Sequence, residues 1–189
     1  MSRLTLASEI GGRPVVTLSG EAVAQVKDIV FEGRAGRVSG FTLSGRGIFS
    51  GPKRQALPWA AVAALGPHAV MVRDEAVFEA RSEVVDRGEA AGGDVLGSQV
   101  LTDAGTDLGR VRDVVIEVSA SAATVVGYQV ASTEALGRQE RTVYIPLAET
   151  VAVSGEALVI PASATDFVAD DLPGFTGMVQ AFRARLKEG

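Results

Sequence analysis

The sequence predicts a mainly β protein: two tandem small antiparallel β-barrels followed by a C-terminal α-helix. Three observations carry that reading. An eight-residue stretch is written twice, as Gln25-Val26-Lys27-Asp28-Ile29-Val30-Phe31-Glu32 and Arg110-Val111-Arg112-Asp113-Val114-Val115-Ile116-Glu117, with the two aspartates 85 residues apart. Around each copy, short β-branched runs alternate with glycine-rich turns, which is the pattern of short strands in a repeated unit. Only near the end do apolar residues recur at helical spacing.

In the first copy, Leu4 and Leu6 flank Thr5 at strand spacing, and Ile10-Gly11-Gly12-Arg13-Pro14 reads as a turn. Pro14 to Leu18 is extended, and Ser19-Gly20-Glu21 reverses it into the strand that runs to Glu32. Gly33-Arg34-Ala35-Gly36-Arg37 suits a hairpin with a residue at positive φ, and Val38 to Leu43 returns as a strand. A loop from Ser44 to Gln55 follows, then Leu57-Pro58-Trp59 and a closing strand at Ala69-Val70-Met71-Val72.

The second copy repeats this order. Gly12, Gly20 and Val26 match Gly97, Gly105 and Val111 at the same offset of 85, which drifts only in loops, reaching 87 at Gly40/Gly127 and 88 at Pro58/Pro146. The polar, glycine-bounded stretch between them reads as a linker with a helical turn around Ser82 to Asp86. The boundaries expected are 1–80, a linker at 81–93, 94–165, and a tail at 166–189 with no counterpart in the first copy. In that tail Phe175, Met178, Val179, Phe182 and Leu186 form one helical stripe, Pro173-Gly174 marks the start, and Arg183, Arg185 and Lys187 crowd the C-terminal turn, where cations favour the helix dipole. Such a stripe must be covered, either by one of the chain's own barrels or by a partner's groove or a second copy.

Composition narrows the classes. Hydrophobic residues make up 47%, enough for a packed core, while aromatics at 5% leave that core to Val, Ala, Leu and Ile. The absence of Cys removes disulfides, thiolate nucleophiles and Cys-based metal sites, and fits a reducing compartment. The first nine residues hold no long apolar run, so no signal peptide is expected, and no stretch reaches the roughly 18 apolar residues of a membrane span. A cytosolic address without membrane insertion is expected. A net charge of −5 argues against general binding of phosphate backbones.

Gly20 to Glu32 with its turn, Val38-Ser39-Gly40-Phe41, Leu57-Pro58-Trp59 and Gly66-Pro67-His68-Ala69-Val70-Met71-Val72 resemble the PRC-barrel family, known from the cytoplasmic domain of the photosynthetic reaction-centre H subunit and from the C-terminal part of the ribosome maturation factor RimM. The resemblance covers both halves. Ala24 stands where the second copy has the expected Gly109, and Leu147 where the first has Trp59. It implies a small, mostly antiparallel barrel and a binding role rather than catalysis.

The residues themselves offer no active site. Asp28 and Asp113 read either as paired binding carboxylates or, the favoured reading, as acceptors of backbone N–H groups that fix the strand's entry. Asp103 to Gly109 has the outline of a calcium loop but lacks the third carboxylate and distal Glu, and a hairpin is expected instead. His68, the single histidine, lies in a turn, which makes a His-based metal site or nucleophile pair improbable. No catalytic residue, metal or cofactor is expected. The candidate interaction surface is the loop bearing Arg46, Ile48, Phe49, Lys53 and Arg54, together with the helix residues Phe175, Met178 and Phe182. The function expected is a non-catalytic cytosolic protein-interaction or adaptor module. Its partner would be another protein, a second copy of this chain included. The alternative is an RNA- or ribosome-associated processing factor.

Overall fold

The computed structural model describes residues 2–32, 36–46, 51–88, 90–137, 140–147, 152–153 and 156–188, with the backbone alone described at 90–93 and 152–153. Strand β1 (Arg3–Leu6) runs into a one-turn helix α1 (Ala7–Ile10). Then come β2 (Pro14–Thr17), β3 (Ala22–Phe31), β4 (Val38–Ser44), β5 (Pro52–Pro58), β6 (Val62–Leu65), β7 (Val70–Val72), a short β8 (Glu79–Ala80) and helix α2 (Arg81–Arg87). The same order follows again as β9 (Ala90–Ala91), α3 (Gly92–Val95), β10 (Gln99–Thr102), β11 (Asp107–Val118), β12 (Ala123–Ser132), β13 (Thr142–Pro146), β14 (Ala152–Val153) and β15 (Ala157–Ile160). A 3-10 turn (Ala162–Phe167) and helix α4 (Leu172–Glu188) close the chain.

Two sheets result. One runs β6-β7-β2-β3-β4-β5-β8 and the other β13-β12-β11-β10-β15-β14. Pairing is antiparallel except between β2 and β7 and between β10 and β15, where the last strand returns parallel to the first. The turns that permit this are built alike in both copies. Thr17 and Thr102 are buried and accept the N–H of Glu21 and Thr106, while Gly20 and Gly105 take φ of +94° and +82°, open to glycine at little cost. The stretch with the outline of a calcium loop is this hairpin.

Each unit lends its first strand to the other. β1 pairs with β11 of the second sheet, Leu6 opposite Val115 and Thr5 opposite Ile116. β9 pairs with β3 of the first sheet, Ala91 opposite Val30 and Ala90 opposite Phe31. Both pairs of the shorter pairing have their counterparts 85 positions away in the longer one, so the exchange is reciprocal and in the same register. The chain is folded as a pseudo-two-fold dimer of its own halves. One apolar core runs through both, holding Val26, Ile29 and Phe41 with Leu108, Val111 and Tyr128.

These pairings redraw the boundaries read from the sequence. Residues 3–6 belong to the second sheet although they precede the first. The stretch 81–93 is no linker: α2 lays Val84, fully buried, over β4 and β5, and β9 extends the first sheet. The tail does have a counterpart. A Cβ on Gly40 of β4 would meet Val84 at 2.7 Å, and one on the matching Gly127 of β12 would meet Phe175 of α4 at 2.5 Å. Both units therefore end in a helix seated on the same glycine. The helical turn expected around Ser82 to Asp86 is α2 itself; a short polar helix with one buried side chain shows no periodic stripe, which is why its docking on the sheet was not visible.

Helix α4 docks within the chain. Phe175, Val179 and Phe182 are buried, with Phe175 against Tyr144 at 5.9 Å between ring centres and Phe182 against Phe167 at 5.2 Å. Leu4 and Leu6 of β1 pack into the same cluster as Phe175 and Val179, and Arg183 pairs with Glu117 at 3.0 Å. The two ends of the chain thus meet on the outside of the second sheet.

Candidate functional site

The duplicated octapeptide is the place where the two units face each other. In β3 the pairing with β4 passes from Val26 opposite Leu43 to Asp28 opposite Thr42, leaving Lys27 out. In β11 it passes from Val111 opposite Val130 to Asp113 opposite Gln129, leaving Arg112 out. A bulge of this kind bends the strand and re-aims the side chains around it. Here it exposes the cations Lys27 and Arg112 and turns the next carboxylate inward.

The carboxylates are engaged in structure. Asp28 Oδ1 accepts the N–H of Ile29 and Asp113 Oδ1 that of Val114, each at 2.8 Å. Asp113, only 6% exposed, also accepts the N–H of Ser8 at 3.2 Å, and its Oδ2 accepts the Ser8 hydroxyl. The second-copy aspartate therefore clamps the helix α1 that comes from the first copy. On the same helix Glu9 accepts the hydroxyl of Thr5 at 2.7 Å and the N–H of Leu6 at 3.0 Å; those bonds, Thr5 first, hold its carboxyl below the usual range. This is the N–H-accepting role favoured for Asp113.

Between the bulges lies a cleft of about 240 Å³. Residues 26–29 of β3 and 112–114 of β11 line it, together with Ala7, Ser8, Gly11 and Leu96. Val26, Ile29 and Val114 form an apolar floor, and Leu96 is 50% exposed at the rim. Lys27 and Arg112 make no ion pair or hydrogen bond among the described residues. A neighbouring polar cleft of about 380 Å³ shares Arg112, but there Asp107 already accepts from Gln99 Nε2 and the Gly109 N–H, and Arg110 donates to the carbonyl of Gly97.

The residues singled out from the sequence are not brought together. Arg46 donates to the carbonyl of Ala22 at 3.1 Å and Lys53 to that of Val23 at 2.9 Å, so both strap their loop to the start of β3. Arg54 is exposed on β5, and Ile48 and Phe49 lie outside the described residues. Phe175 and Phe182 are covered within the chain and Met178 is half-buried, so these three do not form an exposed interaction surface. His68 is exposed in its turn, and among the described residues no three acidic or histidine side chains gather as a metal site would require. No helix among the described residues is long and apolar enough to cross a membrane. The cleft escaped sequence reading because four segments distant in the chain build it. Its one visible signal was the repetition of basic residue then Asp at 27–28 and 112–113.

The family model of the PRC-barrel domain matches this chain twice, over residues 5–77 and 87–166. No curated protein matches the chain. The two matched segments each hold one set of six barrel strands, and both stop short of the helix that closes its unit.

Proposed function

The chain belongs to the PRC-barrel family, and from that premise we propose that it is a non-catalytic protein-interaction or adaptor module of the cytosol. The observation that carries this reading is the reciprocal exchange of β1 and β9 around one continuous core. It joins two binding-type barrels into a single body whose distinctive carboxylate, Asp113, is spent on holding α1. Such a body offers a firm surface and a shallow cleft, which suits recognition of another protein. The net charge of −5 supports a protein over an RNA partner.

The test is in-cell cross-linking of the tagged full chain, followed by purification with and without ribonuclease and mass spectrometry. A stoichiometric protein whose recovery withstands ribonuclease is expected. Recovery that collapses with ribonuclease would replace this reading with the RNA- or ribosome-associated one.

A further inference from the structure

We infer that the cleft on the pseudo-two-fold axis takes an extended acidic segment of a partner protein, seating one apolar side chain on Val26, Ile29 and Val114 and receiving carboxylates on Lys27 and Arg112. The inference rests on the protein-binding reading above and names the site and the chemistry of the partner.

Charge complementarity identifies the occupant. Lys27 and Arg112 are exposed at equivalent positions of the two bulges, one from each unit, and unlike Arg37, Arg87 and Arg183 they pair with no carboxylate among the described residues. Two carboxylates share the lining but neither is fully exposed: Asp113 is buried with its oxygens accepting from Ser8 and Val114, and Asp28 is half-buried and accepts from Ile29, so the fully exposed charges at the cleft are the two cations. Arg112 presents a planar fork matched to a carboxylate, and Lys27 a compact charge on a flexible stem. The floor is apolar and the half-exposed Leu96 extends it at the rim. At about 240 Å³ the cleft lies below the roughly 300–1,000 Å³ of small-molecule pockets, and has room for a side chain rather than a cofactor.

The experiment pans the full chain against a library of short random linear peptides and titrates the enriched peptides as fluorescent probes. Enrichment of Asp or Glu on both sides of a large apolar residue is expected. Amide shifts on titration should centre on residues 26–29, 96 and 112–114. In the double variant K27E/R112E affinity should fall by about tenfold or more, as for loss of two charged contacts, and R73E/R81E should leave it within about twofold. Both pairs are exposed, so melting temperatures should stay near that of the parent.

Enriched peptides without acidic residues, no enrichment, shifts centred elsewhere, or unchanged affinity in K27E/R112E would each overturn the assignment. Displacement of the peptide by a single-stranded RNA oligonucleotide at physiological salt would overturn the choice of occupant. The two readings fail separately. A cross-linked partner retained by K27E/R112E leaves the module intact and removes the cleft; acidic peptides that need Lys27 and Arg112, with no protein recovered from cells, do the reverse.

Discussion

At matching places in the two barrels a glycine lies beneath a helix, and the helices are very different. Gly40 lies under Val84 of a helix of 7 residues, Gly127 under Phe175 of a helix of 17. The strand that each barrel borrows differs in the same sense. β1 gives the second barrel four paired residues carrying Leu4 and Leu6, whereas β9 gives the first only Ala90 and Ala91. The second barrel therefore depends on apolar material from both ends of the chain, and the first is capped lightly. One repeated plan is executed with unequal reliance on its additions, and mutations at matched sites should show that inequality.

The largest effect should come from removing residues 3–6. This strips β11 of a strand, exposes part of the cluster holding Phe175 and Val179, and takes away two half-buried leucines and the buried Thr5. A loss upwards of about 5 kcal/mol is expected, comparable with the whole stability of many domains. The matched disruption, proline at 90 and 91, breaks only two pairings and should cost much less. Chemical denaturation of both variants checks this. Equal losses would mean that the exchange holds the two barrels to the same degree.

Next come the two capping helices. Phe175→Ala should cost about 3–5 kcal/mol, as for other buried Phe truncations, and Val84→Ala about 1.6 kcal/mol or somewhat more for the two methylene-sized groups lost. For a chain of this size the first should lower the melting temperature on the order of 10 °C. Association state should not change for either variant, because both helices dock within the chain. Sedimentation velocity alongside calorimetry separates this from a helix that serves a partner.

How much of this was legible in the sequence follows from the range over which each contact acts. The barrel strands were visible because turn glycines and β-branched runs are local signals, and α4 was visible because five apolar residues fall on one stripe. That stripe proved narrower than its sequence: Phe175, Val179 and Phe182 are buried, while Leu186 is 40% exposed. The alternation of Leu4, Thr5 and Leu6 announced a strand but not its partner, which lies more than 100 residues away. Period-two patterning tells which face is apolar and nothing about whose sheet it joins. Gly109 and Ala24, which stand at matching places in the two copies, also differ: Gly109 adopts φ of +138°, where a Cβ is strained, and a Cβ there would collide with Ala131. The candidate cleft was the least legible feature, since it exists only where residues 7–11, 26–29, 96 and 112–114 converge.

A smaller effect is expected at the clamp across the exchange. Asp113→Ala leaves the Ser8 N–H, the Ser8 hydroxyl and the Val114 N–H without their acceptor, at about 1–3 kcal/mol. Ser8→Ala removes one hydroxyl and should cost about 1 kcal/mol or less. Asp28→Ala, at a more exposed carboxylate, should fall below Asp113→Ala. Hydrogen exchange of α1 amides should quicken in Asp113→Ala ahead of global unfolding.

The smallest effect tests whether the two cores are interchangeable. Tyr128 of β12 stands where the first barrel has Phe41, both fully buried. The Tyr128 hydroxyl has no hydrogen-bond partner among the described residues, and burial pushes its pKa far above the ordinary phenol range. A buried hydroxyl without a partner forgoes the hydrogen bond it makes to water in the unfolded chain, so its removal should be neutral or stabilising by up to about 1 kcal/mol, since volume is nearly conserved. The reverse change, Phe41→Tyr, places a hydroxyl in a packed site beside Trp59, 6.2 Å away between ring centres, and should destabilise by about 1–3 kcal/mol. Urea melts of the two single variants give the comparison directly. A gain or no change for Tyr128→Phe with a loss for Phe41→Tyr would show that both barrels want an apolar ring at this position. A loss of more than about 1 kcal/mol for Tyr128→Phe would instead show that the hydroxyl is bonded in solution, by a buried water, and that the second core is polar where the first is not.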